Sequence, residues 1–172
     1  MKKSITGFTI CGTGALCCIL GMFLLLLGPD EGSKRTLRKG SSVCGLSAVS
    51  NICRMWGIPM ELSEAYQRAG VPLDHKLGIS LLGCKRTLES TGILCEALRF
   101  GSIGDLPEAT PILLSLQGKD RIKDRFHAVA VIRHGNRILL VDGQKINIVS
   151  SEHIDKRSGN IAIVTNMKTN IN

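Results

Sequence analysis

Aromatic residues make up only 3% of this 172-residue chain, although hydrophobic residues make up 44%. A hydrophobic core must therefore be built mainly from aliphatic side chains. The scarcity also argues against a nucleic-acid partner, because bases stack on aromatic side chains and the basic residues here are scattered. We therefore interpret the net charge of +8, from 22 Lys and Arg against 14 Asp and Glu, as a solvated basic surface.

Two sequence motifs are also missing. No Cys-x-x-Cys pair occurs among the seven cysteines, which argues against a structural zinc site and against a thiol–disulfide oxidoreductase. No phosphate-binding Gly-x-x-x-x-Gly-Lys-Ser/Thr motif occurs, so this chain does not encode ATP hydrolysis. We expect neither a metal ion nor a cofactor.

A long apolar run lies near the N-terminus. Residues 7–28 form a run of 22 residues without a charge, and a membrane-spanning helix needs about 20. No small-x-small cleavage site follows Leu27, which favours an uncleaved anchor over a signal peptide. We therefore predict a single-pass membrane anchor at 7–28, a polar linker at 29–39 and a globular domain at 40–165.

The charges beside this run leave its orientation open. Lys2 and Lys3 precede it, as in an anchor whose N-terminus stays inside, whereas four basic residues follow it between positions 34 and 39. The larger basic flank lies on the C-terminal side, which by the positive-inside rule favours a cytoplasmic domain. The sequence does not decide between the two.

The globular part changes character half-way. Apolar residues recur with a helical period over 44–56, 61–69 and 80–90, and Ser41 and Ser42 are the expected N-caps of the first helix. Short β-type runs follow, and the sequence His134-Gly-Asn136 is typical of a hairpin turn. Helices followed by an antiparallel sheet predict an α+β fold in two packed layers. The expected strands cover residues 93–100, 111–117, 126–133, 136–141, 145–149 and 160–165.

Three residues at element boundaries have the chemistry of a cysteine peptidase. Cys44 begins the first predicted helix, His127 opens an apolar strand and Asp142 closes the next strand. Only a thiolate attacks a carbonyl well, and a helix N-terminus favours the anion. A histidine can accept the thiol proton and return it to the leaving amine, while a carboxylate orients the ring.

Six blocks of sequence, in register over about residues 40–165, resemble the bacteriocin-processing cysteine peptidases. This papain-like family cleaves leader peptides after a double glycine, often as the N-terminal part of a peptide-exporting ABC transporter. The resemblance implies a papain-like fold with Cys44 as nucleophile, His127 as general base and acid, and Asp142 as the residue that orients the imidazole. It implies a peptide substrate, a location at a bacterial inner membrane and a transporter partner on a separate chain. The blocks are Cys44-Gly-Leu-Ser-Ala-Val with Trp56-Gly, Gly78-Ile-Ser-Leu-Leu, Ser90-Thr-Gly-Ile, Pro111-Ile-Leu-Leu, His127-Ala-Val-Ala-Val and Val141-Asp-Gly.

The chain departs from the family at three places. Val43 stands where the family usually has an aspartate, and Gly143 stands where a proline usually follows the catalytic aspartate. The family glutamine that donates a hydrogen bond to the oxyanion is missing, because no glutamine precedes Gln67 and its place holds Arg38 or Lys39. Arg38, Lys39 or a serine hydroxyl is the expected substitute donor. The alternative is a catalytically degenerate domain of the same fold that binds export substrates without cutting them.

Other candidate residues fit the site less well. Asn147 and Asp155 are weaker substitutes for Asp142. The remaining histidines lie in polar or turn contexts and are expected at the surface, and the other cysteines of the domain lie on apolar positions and are expected in the core. The histidines are His75, His134 and His153, and the cysteines are Cys53, Cys84 and Cys95.

Overall fold

The computed structural model describes residues 43–72, 78–117 and 127–167, in which three helices precede a six-stranded antiparallel sheet. The α+β class predicted from the sequence is therefore confirmed. The helices are α1 (Cys44–Met55), α2 (Leu62–Ala69), α3 (Leu81–Glu89) and the short α4 (Ser151–Asp155), and the strands are β1 (Ile93–Arg99), β2 (Pro111–Leu116), β3 (His127–His134), β4 (Arg137–Asp142), β5 (Lys145–Ser150) and β6 (Ser158–Met167).

The sheet has the strand order β1-β6-β2-β3-β4-β5, and every neighbouring pair is antiparallel. Strand β2 lies in its interior, and all six of its residues are buried. Such a run, apolar except for the buried Ser115, is what a strand covered on both faces requires. An aliphatic cluster fills part of this core, as the low aromatic content predicts. Its members include Ile103, Leu106, Ile112, Leu114, Leu116, Val129, Val131, Ile138, Ile154 and Ala162.

Helix α1 packs on the sheet mainly over β3. Leu46, Val49 and Ile52 are fully buried along this contact, at the spacing of one helical face. At the C-terminal end of the helix, the indole Nε1 of Trp56 donates a 2.8 Å hydrogen bond to the hydroxyl of Thr165 on β6. The helix is therefore attached at its far end, and its N-terminus faces the start of β3.

The ends of the elements agree with the sequence in most places. Gly57 and Gly70 follow α1 and α2 with φ of +73° and +66°, a conformation that glycine adopts readily. Ser80 caps α3 by accepting a 3.1 Å hydrogen bond from the backbone N–H of Gly83. The N-cap of α1, however, is Val43, which makes no side-chain cap hydrogen bond, so the expectation of a serine cap was wrong.

The sequence patterns missed two short elements. A 3-10 helix covers Ile103–Asp105, and α4 covers five residues before β6. Neither is long enough to show a helical period, and both depend on side chains that accept backbone hydrogen bonds. Asp155 accepts from the N–H of Ile103 at 2.6 Å and from the hydroxyl of Ser102 at 3.0 Å, which joins the two elements.

No helix in the described part of the chain is long and apolar enough to cross a membrane. The predicted anchor at 7–28 and the predicted linker at 29–39 lie outside the described residues. His75, Arg38 and Lys39 lie outside them as well.

Candidate active site

The nucleophile candidate occupies the first position of α1. Cys44 is partly exposed, while the residues that follow it on the inner face of the helix are buried. The first N–H groups of a helix have no intrahelical acceptor and carry partial positive charge. The first turn of α1 contains no acidic residue and no side-chain cap, so nothing there offsets this charge. The position therefore favours a thiolate.

Strands β3 and β4 bring a histidine and a carboxylate to the same end of the sheet. His127 is the first residue of β3, and Asp142 is the last residue of the adjacent strand β4. Their side chains meet, with His127 Nε2 2.8 Å from Asp142 Oδ1. The imidazole is also hydrogen-bonded to the Cys44 side chain. Because Nε2 faces the carboxylate, Nδ1 is the ring nitrogen that remains for the sulfur.

The pKa values of the pair shift in opposite directions. Burial raises the pKa of the Cys44 thiol. The hydrogen bonds from His127 and from the backbone of Ala128, together with the charge of His127, lower it by a larger amount, so the net shift is downward. The pKa of His127 is raised to about 9 by its hydrogen bond to Cys44 and by the hydrogen bond and charge of Asp142. Burial acts in the opposite direction but is outweighed. Both shifts favour a thiolate–imidazolium pair near neutral pH.

The other described cysteines have the opposite character. Burial raises the pKa of Cys53 to about 11 and the pKa values of Cys84 and Cys95 to about 12. Cys53 and Cys84 are fully buried, as expected for core residues, whereas Cys95 is only partly buried. Among the described thiols, only that of Cys44 has a lowered pKa, so it should react selectively.

Close packing beside Cys44 explains two of the sequence blocks. A Cβ atom at Gly45 would lie 2.5 Å from Ile79 Cγ2, and a Cβ atom at Gly83 would lie 2.5 Å from Ile79 Cγ1. Only glycine leaves room for the Ile79 side chain between α1 and α3. The Cys44-Gly45 block and the Gly78-Ile79 block therefore pack against each other, a contact that sequence reasoning did not identify.

A second contact missed from the sequence joins α1 to the turn after Asp142. Asn51 Nδ2 donates a 2.9 Å hydrogen bond to the carbonyl oxygen of Gly143, across 92 positions of the chain. Asn51 is buried, with 4% exposure. An amide side chain among the buried residues of the helix is the signal that would have pointed to it, because buried amides need hydrogen-bond partners.

The weaker candidates lie elsewhere. Asn147 is exposed on the edge strand β5, opposite Leu140. The carboxylate of Asp155 accepts hydrogen bonds from the Ser102 hydroxyl and the Ile103 N–H, and so it stabilises the start of the 3-10 helix. His134 and His153 are exposed, as predicted. The structure therefore brings together Cys44, His127 and Asp142, and the catalytic roles of these three residues stay predictions.

Comparison with solved structures shows where this fold occurs. The peptidase domain of Streptococcus ComA, a bi-functional ABC transporter involved in a quorum sensing pathway, superposes with a TM-score of 0.58 at 15% identity, covering 73% of this chain and 92% of that domain. The chain has the fold of the peptidase C39 domains. The resemblance predicted from the sequence is thereby confirmed at the level of the fold.

Two further peptidase structures agree. A double glycine motif protease from an AMS/PCAT transporter, in complex with its leader peptide, matches with a TM-score of 0.57 at 16% identity, covering 71% of this chain and 82% of that one. The N-terminal peptidase C39-like domain of a toxin secretion ATP-binding protein from Vibrio parahaemolyticus gives 0.56 at 13% identity, covering 73% and 97%. No family model and no curated protein matches the sequence.

Proposed function

We propose that the protein is a cysteine peptidase that cleaves a peptide bond after small residues, of the double-glycine leader type. One observation carries the proposal: a thiol with a lowered pKa at a helix N-terminus is hydrogen-bonded to an imidazole whose Nε2 lies 2.8 Å from a carboxylate oxygen. The shared fold with leader-peptide proteases supports the choice of substrate class.

The first half of the reaction is acylation. The Cys44 thiolate attacks the scissile carbonyl carbon and forms a tetrahedral oxyanion. The His127 imidazolium then gives its proton to the leaving nitrogen, the C–N bond breaks, and an amine and a thioester result. Asp142 stabilises the imidazolium and holds the ring with Nδ1 toward the sulfur.

The second half is hydrolysis. Neutral His127 takes a proton from a water molecule, whose oxygen attacks the thioester carbonyl. Cys44 leaves as a thiolate beside the imidazolium, which restores the starting state. In both halves the N–H groups of the first turn of α1 lie next to the developing oxyanion, and Arg38 or Lys39 supplies the second donor in place of the missing glutamine.

The proposal includes a location and a partner. Residues 7–28 anchor the chain in a bacterial inner membrane, and the domain acts on peptides that a separate ABC transporter exports. The length and apolar character of 7–28 support the anchor. If the anchor is a separate element, full-length protein stays in the membrane after carbonate washing, whereas a chain that begins near residue 35 is soluble and folded. Aggregation of the shorter chain would place the segment in the core.

A peptide series tests the activity. Full-length protein is incubated with peptides that carry Gly-Gly, Gly-Ala, Ala-Ala or Leu-Leu before one bond, and the products are read by mass spectrometry. We expect cleavage after Gly-Gly, weaker cleavage after the other small pairs, and none after Leu-Leu or with Cys44→Ala. The absent glutamine favours one other outcome, in which wild type and Cys44→Ala bind the peptides equally and neither cuts them. In that case the domain docks export substrates.

A further inference from the structure

The hydrogen bond from Asn51 to Gly143 connects the helix of the nucleophile to the residue after Asp142. Asn51 lies seven positions after Cys44, about two helical turns, and so on the same side of α1. Its side-chain amide is buried and donates to the Gly143 carbonyl oxygen at 2.9 Å. One rigid helix therefore carries the nucleophile and also contacts the turn that follows the carboxylate.

The turn itself does little to fix the position of Asp142. Asp142 pairs with Lys145, so only Gly143 and Gln144 join β4 to the edge strand β5. A Cβ atom on Gly143 would meet nothing closer than the Ser47 hydroxyl, at 4.0 Å. The Asp142 side chain is 42% exposed, and an exposed ion pair alone holds two side chains weakly. The Asn51 amide thus adds a hydrogen bond that holds this end of the hairpin against α1.

Gly143 also has a backbone conformation that a proline could not adopt. Its φ is +60°, whereas proline is restricted to about −65°. The turn after Asp142 therefore has a different geometry in this chain. The carbonyl oxygen of Gly143 points to α1, where it accepts the hydrogen bond from Asn51. The departure from the family at position 143 and the polar residue at position 51 are parts of one contact.

We propose that Asn51 is a positioning residue, which holds the Gly143 carbonyl so that the Asp142 carboxylate stays against His127 Nε2. The inference rests on the proposed function only in calling the triad catalytic. It concerns the position of Asp142, and this can be measured without any peptide substrate. Losing the amide lets Asp142 move away, weakens the support of the imidazolium and leaves less Cys44 thiolate at acidic pH.

The test measures alkylation of Cys44 by iodoacetamide against pH in the full-length protein. Trypsin releases residues 40–54 as one peptide that carries both Cys44 and Cys53. The fragment ions of this peptide give the labelling of each thiol in the same spectrum. Cys53 is fully buried with a raised pKa, and it stays unlabelled as long as the protein is folded. We expect Asn51→Ala to slow Cys44 alkylation near pH 6 by about three- to tenfold, the range that one lost hydrogen bond gives.

A double-mutant cycle separates positioning from simple structural support. If Asn51 acts through Asp142, Asn51→Ala has no further effect in an Asp142→Ala background, to within about twofold. Asn51→Leu keeps the volume without the donor and should match Asn51→Ala. If Cys53 becomes labelled in Asn51→Ala, that variant is unfolding and Asn51→Leu is used in its place. The matched control is Ser50→Ala, which removes the neighbouring buried hydrogen bond to the Met60 carbonyl and should leave the Cys44 profile unchanged.

Each outcome decides the inference. An unchanged profile in Asn51→Leu, the same slowing in Ser50→Ala, or equal slowing in the Asp142→Ala background overturns it. Peptide cleavage is followed in parallel. A shifted alkylation profile without any cleavage by the wild type keeps the inference and rejects the peptidase, whereas cleavage with an unshifted profile does the reverse.

Discussion

His127 contacts Asp142 through Nε2, with 2.8 Å between this nitrogen and Asp142 Oδ1. The contact selects which ring nitrogen faces Cys44, because the carboxylate accepts a hydrogen bond from Nε2–H and Nδ1 remains for the sulfur. It also stabilises the charged ring, since the carboxylate contributes to the raised pKa of His127. The contact with Asp142 thus affects both the orientation and the charge of the ring.

The pH profile of cleavage should have its alkaline limb near pH 9. Activity needs the Cys44 thiolate and the His127 imidazolium together, and the imidazolium is lost as the pH rises through the His127 pKa of about 9. Asp142→Ala removes part of what raises that pKa, so its alkaline limb should move to lower pH. Measuring kcat/KM between pH 5 and pH 10 for both proteins tests this, and an unmoved limb would contradict it.

Cys44→Ala and His127→Ala should each abolish cleavage, and the double variant should be no worse than either. The sulfur and the imidazole act as one unit in every step, so removing one leaves the other without a function. Single-turnover assays at high enzyme concentration measure the residual rates. A fully additive loss in the double variant would show that the two residues act independently.

Gly143→Pro should damage both the turn and the site. The φ of +60° cannot be adopted by proline, so the turn must rearrange and Asp142 must move from His127. We expect a loss of at least about 1–2 kcal/mol in the free energy of unfolding, the cost of a disallowed backbone conformation. Gly143→Asn should cost less, because asparagine tolerates positive φ. Denaturation curves for the two variants give the comparison.

Gly45→Ala should destabilise the contact between α1 and α3. The added methyl would lie 2.5 Å from Ile79 Cγ2, and overpacking of this kind costs about 1–3 kcal/mol. Ile79→Ala removes the clashing atoms, so the double variant should lose less stability than the sum of the single losses. The control is Gly104→Ala, where the nearest atom, the Ser102 hydroxyl, would lie 3.6 Å away. Additive losses at 45 and 79 would show that the two positions do not interact.

Arg38→Ala should separate the oxyanion donor from peptide binding. If Arg38 replaces the missing glutamine, the rate falls about 10²-fold, as for loss of one oxyanion-hole donor, with peptide affinity unchanged. Lys39→Ala is the matched variant at the neighbouring position. A rate that falls equally in both variants would indicate a general effect of positive charge instead.

The sequence predicted much of the fold because its long elements carry strong periodic signals. The apolar spacing of α1 and the largely apolar run of β2 follow directly from what each element buries. The three site residues could be named because each stands at an element boundary. The 3-10 helix and α4 could not be predicted, since they depend on serine caps and on the Asp155 carboxylate, which accepts a hydrogen bond from the N–H of Ile103, 52 positions away. The Asn51–Gly143 contact likewise depends on tertiary structure alone.

The wedging of Ile79 between two glycines has a practical consequence for engineering this protein. Positions 45, 79 and 83 share one small volume next to the nucleophile, so enlarging position 45 or 83 singly will destabilise the protein. Varied together, with total side-chain volume conserved, they become one adjustable unit. A larger residue on α1 or α3 then requires a smaller one at 79, and this exchange offers a route to reshape the surroundings of Cys44 without touching the three site residues.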